Sequence, residues 1–283
     1  MRSSNPVFSR RGFSRDSGYA GFGTAQPQAG NPYAQQPQAG PYATNPYAQQ
    51  ANKTAAPPVA APQTGRMTMD DVVARTGMTL GLVVVTAAIA WIIDLALPLA
   101  IGAALVAMVL ALVQSFKRRP TPALILAYAA FEGLFLGAIS NYIDHIPGVN
   151  GAAMQAVIGT LAVFTAVLVL YKTRVIRVTN RFYRFTIAAA IGFILLMVVN
   201  MLFAAFGGGD GLGFRSGGLG IAFGVIGILI GAAFLALDFK QVEDGITYGA
   251  PREESWMAAF GLTLTLVWIY LEFLRLAAIL QRQ

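Results

Sequence analysis

Four ionisable side chains lie inside long apolar stretches of the sequence, where a charge is costly: Glu132, Asp238, Glu272 and Arg275. A charge at the centre of a lipid bilayer costs at least about 2.5–3.5 kcal/mol on insertion scales, so such residues face protein or water and are candidates for function. Two carboxylates that share a low-dielectric site do not both ionise easily, and they titrate as a unit. Such a pair is suited to sensing protons, and its oxygen atoms also bind a hard cation such as Ca²⁺.

Glu272 and Arg275 are three residues apart, which places them on the same face of a helix. The spacing favours a buried ion pair that holds helices together, and it also fits a carboxylate whose partner changes with pH. Glu132 is a candidate to line a pore or to act as a third carboxylate, with a structural hydrogen bond as the equal alternative. Asp94 lies at the end of an apolar stretch and can reach the interface, so it is not a candidate.

The remaining residue types exclude several catalytic classes. The sequence has no cysteine and one histidine, His145, so it lacks the ligands of a thiolate or His-ligated metal centre and the base of a serine protease. Residues 207–210 match the Gly-x-Gly-Asp pattern of intramembrane aspartyl proteases, but they fall in a predicted external loop rather than in a span. We therefore expect no enzymatic activity, no permanent metal and no cofactor.

The composition indicates a polytopic membrane protein. The 283 residues are 56% hydrophobic and 12% charged, whereas soluble domains have about 45–50% apolar and about 25% charged residues. Nearly all of the hydrophobicity follows residue 76, in seven runs near the roughly 20 residues that cross a bilayer as a helix. The predicted spans cover residues 76–95, 98–116, 121–143, 150–171, 183–206, 219–239 and 256–280.

The basic residues predict the orientation of these spans. Seventeen of the 20 lysines and arginines fall in the N-terminal segment and in the loops that follow spans two, four and six. Cytoplasmic loops carry an excess of Lys and Arg, so we expect a cytoplasmic N-terminus and an external C-terminus. The net charge of +7 is therefore attributed to these loops rather than to nucleic-acid binding.

The first 66 residues differ in composition from the rest. They are rich in Gln, Pro, Ala, Gly, Tyr and Asn, and Asn-Pro-Tyr-Ala-Gln-Gln occurs at both 31–36 and 45–50. Such a segment cannot bury enough apolar surface to offset its ordering entropy. We therefore predict a disordered cytoplasmic tail over residues 1–66 and a membrane domain over residues 67–283, whose first helix begins at a capping box formed by Thr68 and Asp71.

Glycines recur at helical spacing in several spans. Small residues at such positions let helix backbones approach closely. We expect these contacts to form within one chain rather than at a dimer face, and hence expect a monomer in the lipid bilayer. The positions are Gly77 and Gly81 near span one, Gly133 and Gly137 in span three, and Gly220, Gly224, Gly227 and Gly231 in span six.

Three motifs carry a resemblance to a known family: Phe-Glu-Gly-Leu-Phe-Leu-Gly at 131–137, Leu-Asp-Phe-Lys-Gln-Val at 237–242 and Ile-Tyr-Leu-Glu-Phe-Leu-Arg-Leu at 269–276. They resemble the Bax inhibitor-1 (transmembrane BAX inhibitor motif) family, in its bacterial YccA-like branch, over about residues 70–281. The resemblance implies seven transmembrane helices with the seventh in the centre. It also implies a pH-sensitive calcium leak channel of the bacterial plasma (inner) membrane, whose sensor and gate is an aspartate pair on spans six and seven. By motif, Asp238 takes the first position of that pair and Glu272 the second.

The sequence departs from the family pattern in three ways. The second carboxylate is Glu272 rather than aspartate, and the neighbouring Arg275 is a counter-ion that favours one state of the gate. The stretch between the two motifs is also long, so Glu272 would lie deeper than Asp238 in a plain antiparallel hairpin. We therefore predict that residues 247–258 form a loop or interfacial turn, which lets the two carboxylates lie level and hold Ca²⁺ transiently.

The sequence thus predicts a membrane protein that passes Ca²⁺ passively under the control of protons. The main alternative is a regulator that transports nothing and binds a membrane-bound AAA protease, because the resemblance includes such a member. A third hypothesis is Ca²⁺/H⁺ exchange, which requires alternating access, although the sequence shows no clear inverted repeat. The expected partners are the lipid bilayer, Ca²⁺ and H⁺, with a membrane protease under the main alternative.

Overall fold

Seven α-helices make up most of the chain that the computed structural model describes, residues 65–207, 212–214 and 216–282. All seven are long and apolar enough to cross a membrane, which confirms the predicted all-helical membrane fold. The described residues belong to one unit, Ala61–Gln283, and the predicted disordered tail lies outside them apart from residues 65 and 66. The helices are α1 (Met69–Ile92), α2 (Leu97–Phe116), α3 (Pro122–Asp144), α4 (Ala152–Lys172), α5 (Asn180–Gly207), α6 (Gly217–Thr247) and α7 (Glu254–Gln281).

Helix α7 occupies the centre of the bundle, as the resemblance implied. It packs against α1, α3, α4 and α6. Its Phe260 ring also meets Tyr128 of α3 edge-on, with 5.3 Å between the ring centroids, in a cluster that includes Ala107 of α2. Helix α5 lies at the edge and packs mainly on α6. A polar side chain on α7 is therefore surrounded by protein on most sides, which is where a charge within a membrane is tolerated.

The start of α1 follows the predicted capping box. The Thr68 hydroxyl oxygen accepts a hydrogen bond from the Asp71 N–H at 3.2 Å, which satisfies one of the backbone donors that a helix start leaves open. The carboxylates of Asp70 and Asp71 lie in the first turn, where the helix dipole favours negative charge. Helix α1 begins at Met69, seven residues before the predicted span, because the polar first turn adds helical residues ahead of the apolar run.

The predicted loop or interfacial turn over residues 247–258 is present but covers only residues 248–253, so the expectation that α7 starts later is wrong. Helix α6 runs to Thr247 and α7 begins at Glu254, so the two helices form a tight antiparallel hairpin. The turn sequence explains the difference. Gly249 adopts a left-handed φ of 70°, which ends α6 without the steric cost of a Cβ atom. Pro251 disfavours continuation of the helix. The Glu254 carboxylate is stabilised at the positive, N-terminal end of α7.

The residues just before α1 are held against this turn. The Met67 N–H donates to the Ala250 carbonyl oxygen at 2.8 Å, and the Arg252 N–H donates to the Gly65 carbonyl oxygen at 2.7 Å. An ion pair adds to these bonds, with 2.8 Å between Asp71 Oδ1 and Arg252 Nε. We call these contacts the clasp, because they fasten the start of α1 to the turn that joins α6 and α7.

Helices α1 and α3 approach each other through two of the predicted glycines. A Cβ atom added at Gly137 would lie 2.7 Å from the Cα of Ala87, and one added at Gly133 would lie 3.0 Å from the carbonyl carbon of Val83. Both distances are shorter than van der Waals contact, so glycine is required there for backbone-to-backbone packing. The same expectation for Gly77 and Gly81 is wrong, because a Cβ atom at either position would have no neighbour within 4 Å.

We expect Gly137→Ala to destabilise the protein by about 1–3 kcal/mol, because the added methyl group overpacks the contact with α1. The measurement is the apparent unfolding temperature of the detergent-purified protein. Gly192→Ala in α5 is the matched control, since a Cβ atom there has no neighbour within 4 Å and the change gains helix propensity. An unfolding temperature that is lowered equally in both variants would contradict the packing argument.

Candidate functional site

Glu272 and Arg275 form an ion pair on one face of the central helix. The Arg275 Nη2 atom lies 2.6 Å from Glu272 Oε2, and the two side chains are 12% (Glu272) and 16% (Arg275) exposed. The spacing of three residues places the groups one above the other on α7. Because each charge offsets the desolvation of the other, the pair can remain inside an apolar bundle where a single charge would be very costly.

The α6 surface that faces this pair consists of glycines. A Cβ atom at Gly227 would lie 2.7 Å from Glu272 Cδ, and one at Gly224 would lie 3.8 Å from Arg275 Nη2. A Cβ atom at Gly231 would lie 2.6 Å from Cγ1 of Ile269, on the same helix as the pair. We call Gly224, Gly227 and Gly231 the glycine face. It leaves the space that the two charged side chains occupy, a role that the sequence did not predict for it.

Two further side chains enclose the ion pair. The Trp268 Nε1–H donates to the Gly227 carbonyl oxygen at 3.1 Å, which fixes the indole ring one turn from Glu272. The Trp268 ring lies beside Phe193 of α5, with 5.8 Å between the ring centroids. Met197, also of α5, places its sulfur 3.9 Å from Arg275 Nη1. Helices α5, α6 and α7 therefore meet around the pair.

Asp238 lies at a different level of the same hairpin. Its Oδ2 atom accepts a hydrogen bond of 2.6 Å from the Thr265 hydroxyl, and its Oδ1 atom lies 3.5 Å from the position of a Cβ atom at Gly261. Glu272 instead lies against Gly227, eleven residues earlier on α6. At 1.5 Å per residue this is a separation of about 16 Å along the helix.

The expectation that Asp238 and Glu272 lie level is therefore wrong. It depended on a loop that delays the start of α7, and the tight turn places α7 in plain antiparallel register with α6 instead. In this register Asp238 meets Thr265, and Glu272 meets the glycine face and Arg275. The two carboxylates therefore lie at separate positions along the α6–α7 interface and do not form a pair.

Glu132 lies outside this interface. It is partly buried on α3, next to Gly133, which packs against Val83 and Thr86 of α1. Among the residues that the structure describes, no hydrogen bond or ion pair links the Glu132 carboxylate to another side chain. Within that same part of the chain, no three His, Cys, Asp or Glu side chains cluster as metal ligands would.

Several hydrogen bonds between uncharged side chains join α7 to its neighbouring helices, and the sequence analysis, which considered charged residues, did not predict them. The Tyr270 hydroxyl lies 2.6 Å from Ser140 Oγ of α3, and the Thr263 hydroxyl lies 2.9 Å from that of Thr79 in α1. Uncharged hydroxyls recurring within apolar spans were the available signal, because buried hydroxyls require partners. Asp94, which the sequence analysis set aside, accepts a hydrogen bond of 2.7 Å from the amide of Asn141.

Comparison with known proteins adds one match. A family model described as Bax inhibitor 1 like matches residues 5–282. The match covers all seven helices and extends into the low-complexity segment, which the resemblance from three motifs had left out. No curated protein matches the chain in a sequence comparison.

We expect Arg275→Met to destabilise the protein by about 3–5 kcal/mol, because it removes the cation that offsets the buried Glu272 carboxylate. The double variant Glu272→Gln/Arg275→Met should recover most of this loss, since both charges are then absent. The measurement is the unfolding midpoint of the purified protein in detergent. Lys240→Met, which disrupts an ion pair with Asp244 that is far more exposed, is the control and should change the midpoint little.

Two results would argue against a coupled buried pair. One is a double variant that is as unstable as the sum of its two single variants. The other is an Arg275→Met variant that unfolds at the same point as the Lys240→Met control.

Proposed function

Because the chain belongs to the Bax inhibitor-1-like family, we propose that this multi-pass membrane protein is a calcium leak channel whose passive flux is controlled by protons. We place it in the YccA-like branch and in the bacterial plasma membrane, with a cytoplasmic N-terminus as the basic loops predict. In this proposal the protein is not an enzyme and has no resident metal or cofactor. Ca²⁺ is the permeant ion.

The observation that carries the proposal is the ion pair of Glu272 and Arg275, buried against the glycine face. Replacing a buried ion pair by apolar residues of similar volume is often neutral or stabilising. A pair with only a structural role could therefore be replaced without loss. A carboxylate that gains and loses a proton cannot be replaced in this way, because its function is the change of charge.

Proton uptake by Glu272 is the switching step. Arg275 of the same helix contacts Glu272, α6 presents Gly224 and Gly227 to the pair, and Met197 of α5 contacts Arg275. A protonated Glu272 attracts Arg275 only weakly. Arg275 is six residues from the end of α7, about 9 Å along the helix, so its long side chain can then extend toward the interface.

The movement of Arg275 removes a positive charge from the interface between α6 and α7. A fixed cation there repels Ca²⁺, so its departure lowers the barrier to a divalent cation. Asp238, at the other level of the hairpin, supplies a carboxylate that attracts Ca²⁺. In this mechanism Asp238 and Glu272 remain the sensor and gate proposed from the sequence, but they act in series about 16 Å apart.

We expect Ca²⁺ flux into dye-loaded liposomes containing the full chain to rise as the pH falls from mildly alkaline to mildly acidic. Glu272→Gln mimics the protonated carboxylate, so its flux should equal the acidic wild-type flux at every pH. Asp238→Asn removes the carboxylate that attracts the ion and should lower the flux about tenfold. Asp70→Asn, an exposed carboxylate in the first turn of α1, is the control and should behave as wild type.

A wild-type flux that does not exceed that of empty liposomes at any pH would overturn the channel. Flux that is present but equally pH-dependent in Glu272→Gln would leave a channel and remove Glu272 as its sensor. A third result, Ca²⁺ accumulation against its own gradient when a pH gradient is imposed, would indicate Ca²⁺/H⁺ exchange instead.

The second candidate function is a regulator that transports nothing and binds a membrane-bound AAA protease. The clasp favours it, because Gly65, at the end of the tail, and Met67, which immediately follows the tail, are bonded to the turn between α6 and α7. A partner that engages the tail would thus act next to this hairpin. A variant lacking residues 2–60 keeps the clasp and should lose protease binding under the regulator hypothesis, whereas under the channel hypothesis it should keep its pH-dependent flux.

A further inference from the structure

A cavity of about 440 Å³ lies where the α4–α5 connection passes the end of α6. The end of α4 and the connection contribute Lys172, Arg174 and Arg177, and α6 contributes Lys240 and Glu243. Four of these five side chains are basic. The cavity is separate from the Glu272–Arg275 site, since Lys240 lies thirteen residues further along α6 than Gly227.

Among the described residues that line this cavity, Glu243 is the only acidic one, and its carboxylate already has partners. Glu243 accepts a hydrogen bond from the Tyr171 hydroxyl and lies 3.7 Å from Lys240 Nζ. Lys240 in turn lies 2.8 Å from Asp244 Oδ1. These four side chains form one network in which the Lys240 charge is matched by carboxylates.

Three cations remain around the cavity. Across residues 65–207, 212–214 and 216–282, no hydrogen bond or ion pair joins the side chain of Lys172, Arg174 or Arg177 to another group. Lys172 lies in the last turn of α4, where the helix dipole accounts for a basic residue. Arg174 and Arg177 belong to the basic loops that predict the orientation of the spans, and around this one cavity their like charges repel each other.

The backbone at Arg174 adds an independent observation. Its φ is 59°, in the left-handed region, at the point where α4 ends. The Arg174 N–H donates to the Tyr171 carbonyl oxygen at 3.0 Å, and the Val175 N–H donates to the Leu170 carbonyl oxygen at 3.0 Å. Glycine is the residue that closes a helix in this way without strain, and a residue with a Cβ atom costs about 1 kcal/mol more. An arginine there is strained and faces the cavity, which indicates a use for its guanidinium group.

We propose that this cavity binds the phosphate group of an anionic phospholipid from the membrane leaflet at this end of the bundle. Arginine forms two parallel hydrogen bonds to phosphate oxygens, and lysine adds a point charge. Basic pockets between transmembrane helices bind the headgroups of acidic lipids. Val175, between the two arginines in the sequence, is 69% exposed, so an apolar side chain is available beside the cavity for the acyl chain of such a lipid. A free phosphate ion shares the same chemistry, so the test separates the two sources.

The test uses the full chain in mild detergent and counts bound lipid by native mass spectrometry during a titration with phosphatidylglycerol. Arg174→Asn/Arg177→Gln removes two cavity charges, and asparagine tolerates the left-handed backbone. Arg181→Gln/Arg184→Gln removes two charges from the first turns of α5, outside the cavity, and is the matched control. We expect phosphatidylglycerol to bind the cavity variant at least about tenfold more weakly than wild type, and the control within about threefold.

Binding measurements with two other ligands distinguish a bound lipid from a bound phosphate ion. Phosphatidylcholine, which has the phosphate but no net charge, should bind weakly to all three proteins, and inorganic phosphate should not displace bound phosphatidylglycerol. Saturable binding of inorganic phosphate that only the cavity variant loses would make the free anion the ligand of this site and overturn the lipid. Equal losses in the cavity variant and its control, or retention by a cavity variant with wild-type helical content, would overturn the site itself.

Discussion

The arrangement of the bundle depends on one buried ion pair. Glu272 and Arg275 must be kept from lipid, and α7, which carries them, lies in the centre with α1, α3, α4 and α6 around it. The pair also needs room, which the adjoining helix supplies through Gly224 and Gly227. Each feature requires the others. A side chain on the glycine face would displace the charges, and a peripheral α7 would expose them to hydrocarbon at a cost of several kcal/mol.

The second constraint is the register of the hairpin between α6 and α7. The tight turn at Gly249 and Pro251 fixes which residues oppose each other, so Asp238 meets Thr265 and Glu272 meets Gly227. A hydroxyl donor satisfies the Asp238 carboxylate, whereas Glu272 is paired with a cation. The same register explains why the two carboxylates have different partners.

Much of this could be predicted from the sequence because it is local. Hydropathy located the seven helices, the box at Thr68 located a helix start, and the spacing of three residues placed Glu272 beside Arg275. The register of α6 on α7 could not be predicted from the sequence. It depends on the left-handed geometry of Gly249 and on the clasp, which is formed by residues distant in the sequence. The packing of Gly77 and Gly81 was also not predictable from local sequence. The spacing of glycines indicates a helix face without side chains, but it does not indicate whether another helix packs there.

In the proposed channel, the clasp would determine where α6 and α7 separate. Met67 and Arg252 hold the turn end of α6 and α7 to α1 through backbone hydrogen bonds and the ion pair with Asp71. Glu272 lies eighteen residues from the start of α7, about 27 Å from this fixed end. Two helices that are fastened at one end and separate at the other move most at the unfastened end. A loss of charge at Glu272 therefore acts where a small change in attraction produces the largest displacement, while the contact between Asp238 and Thr265, nearer the turn, stays closed longest.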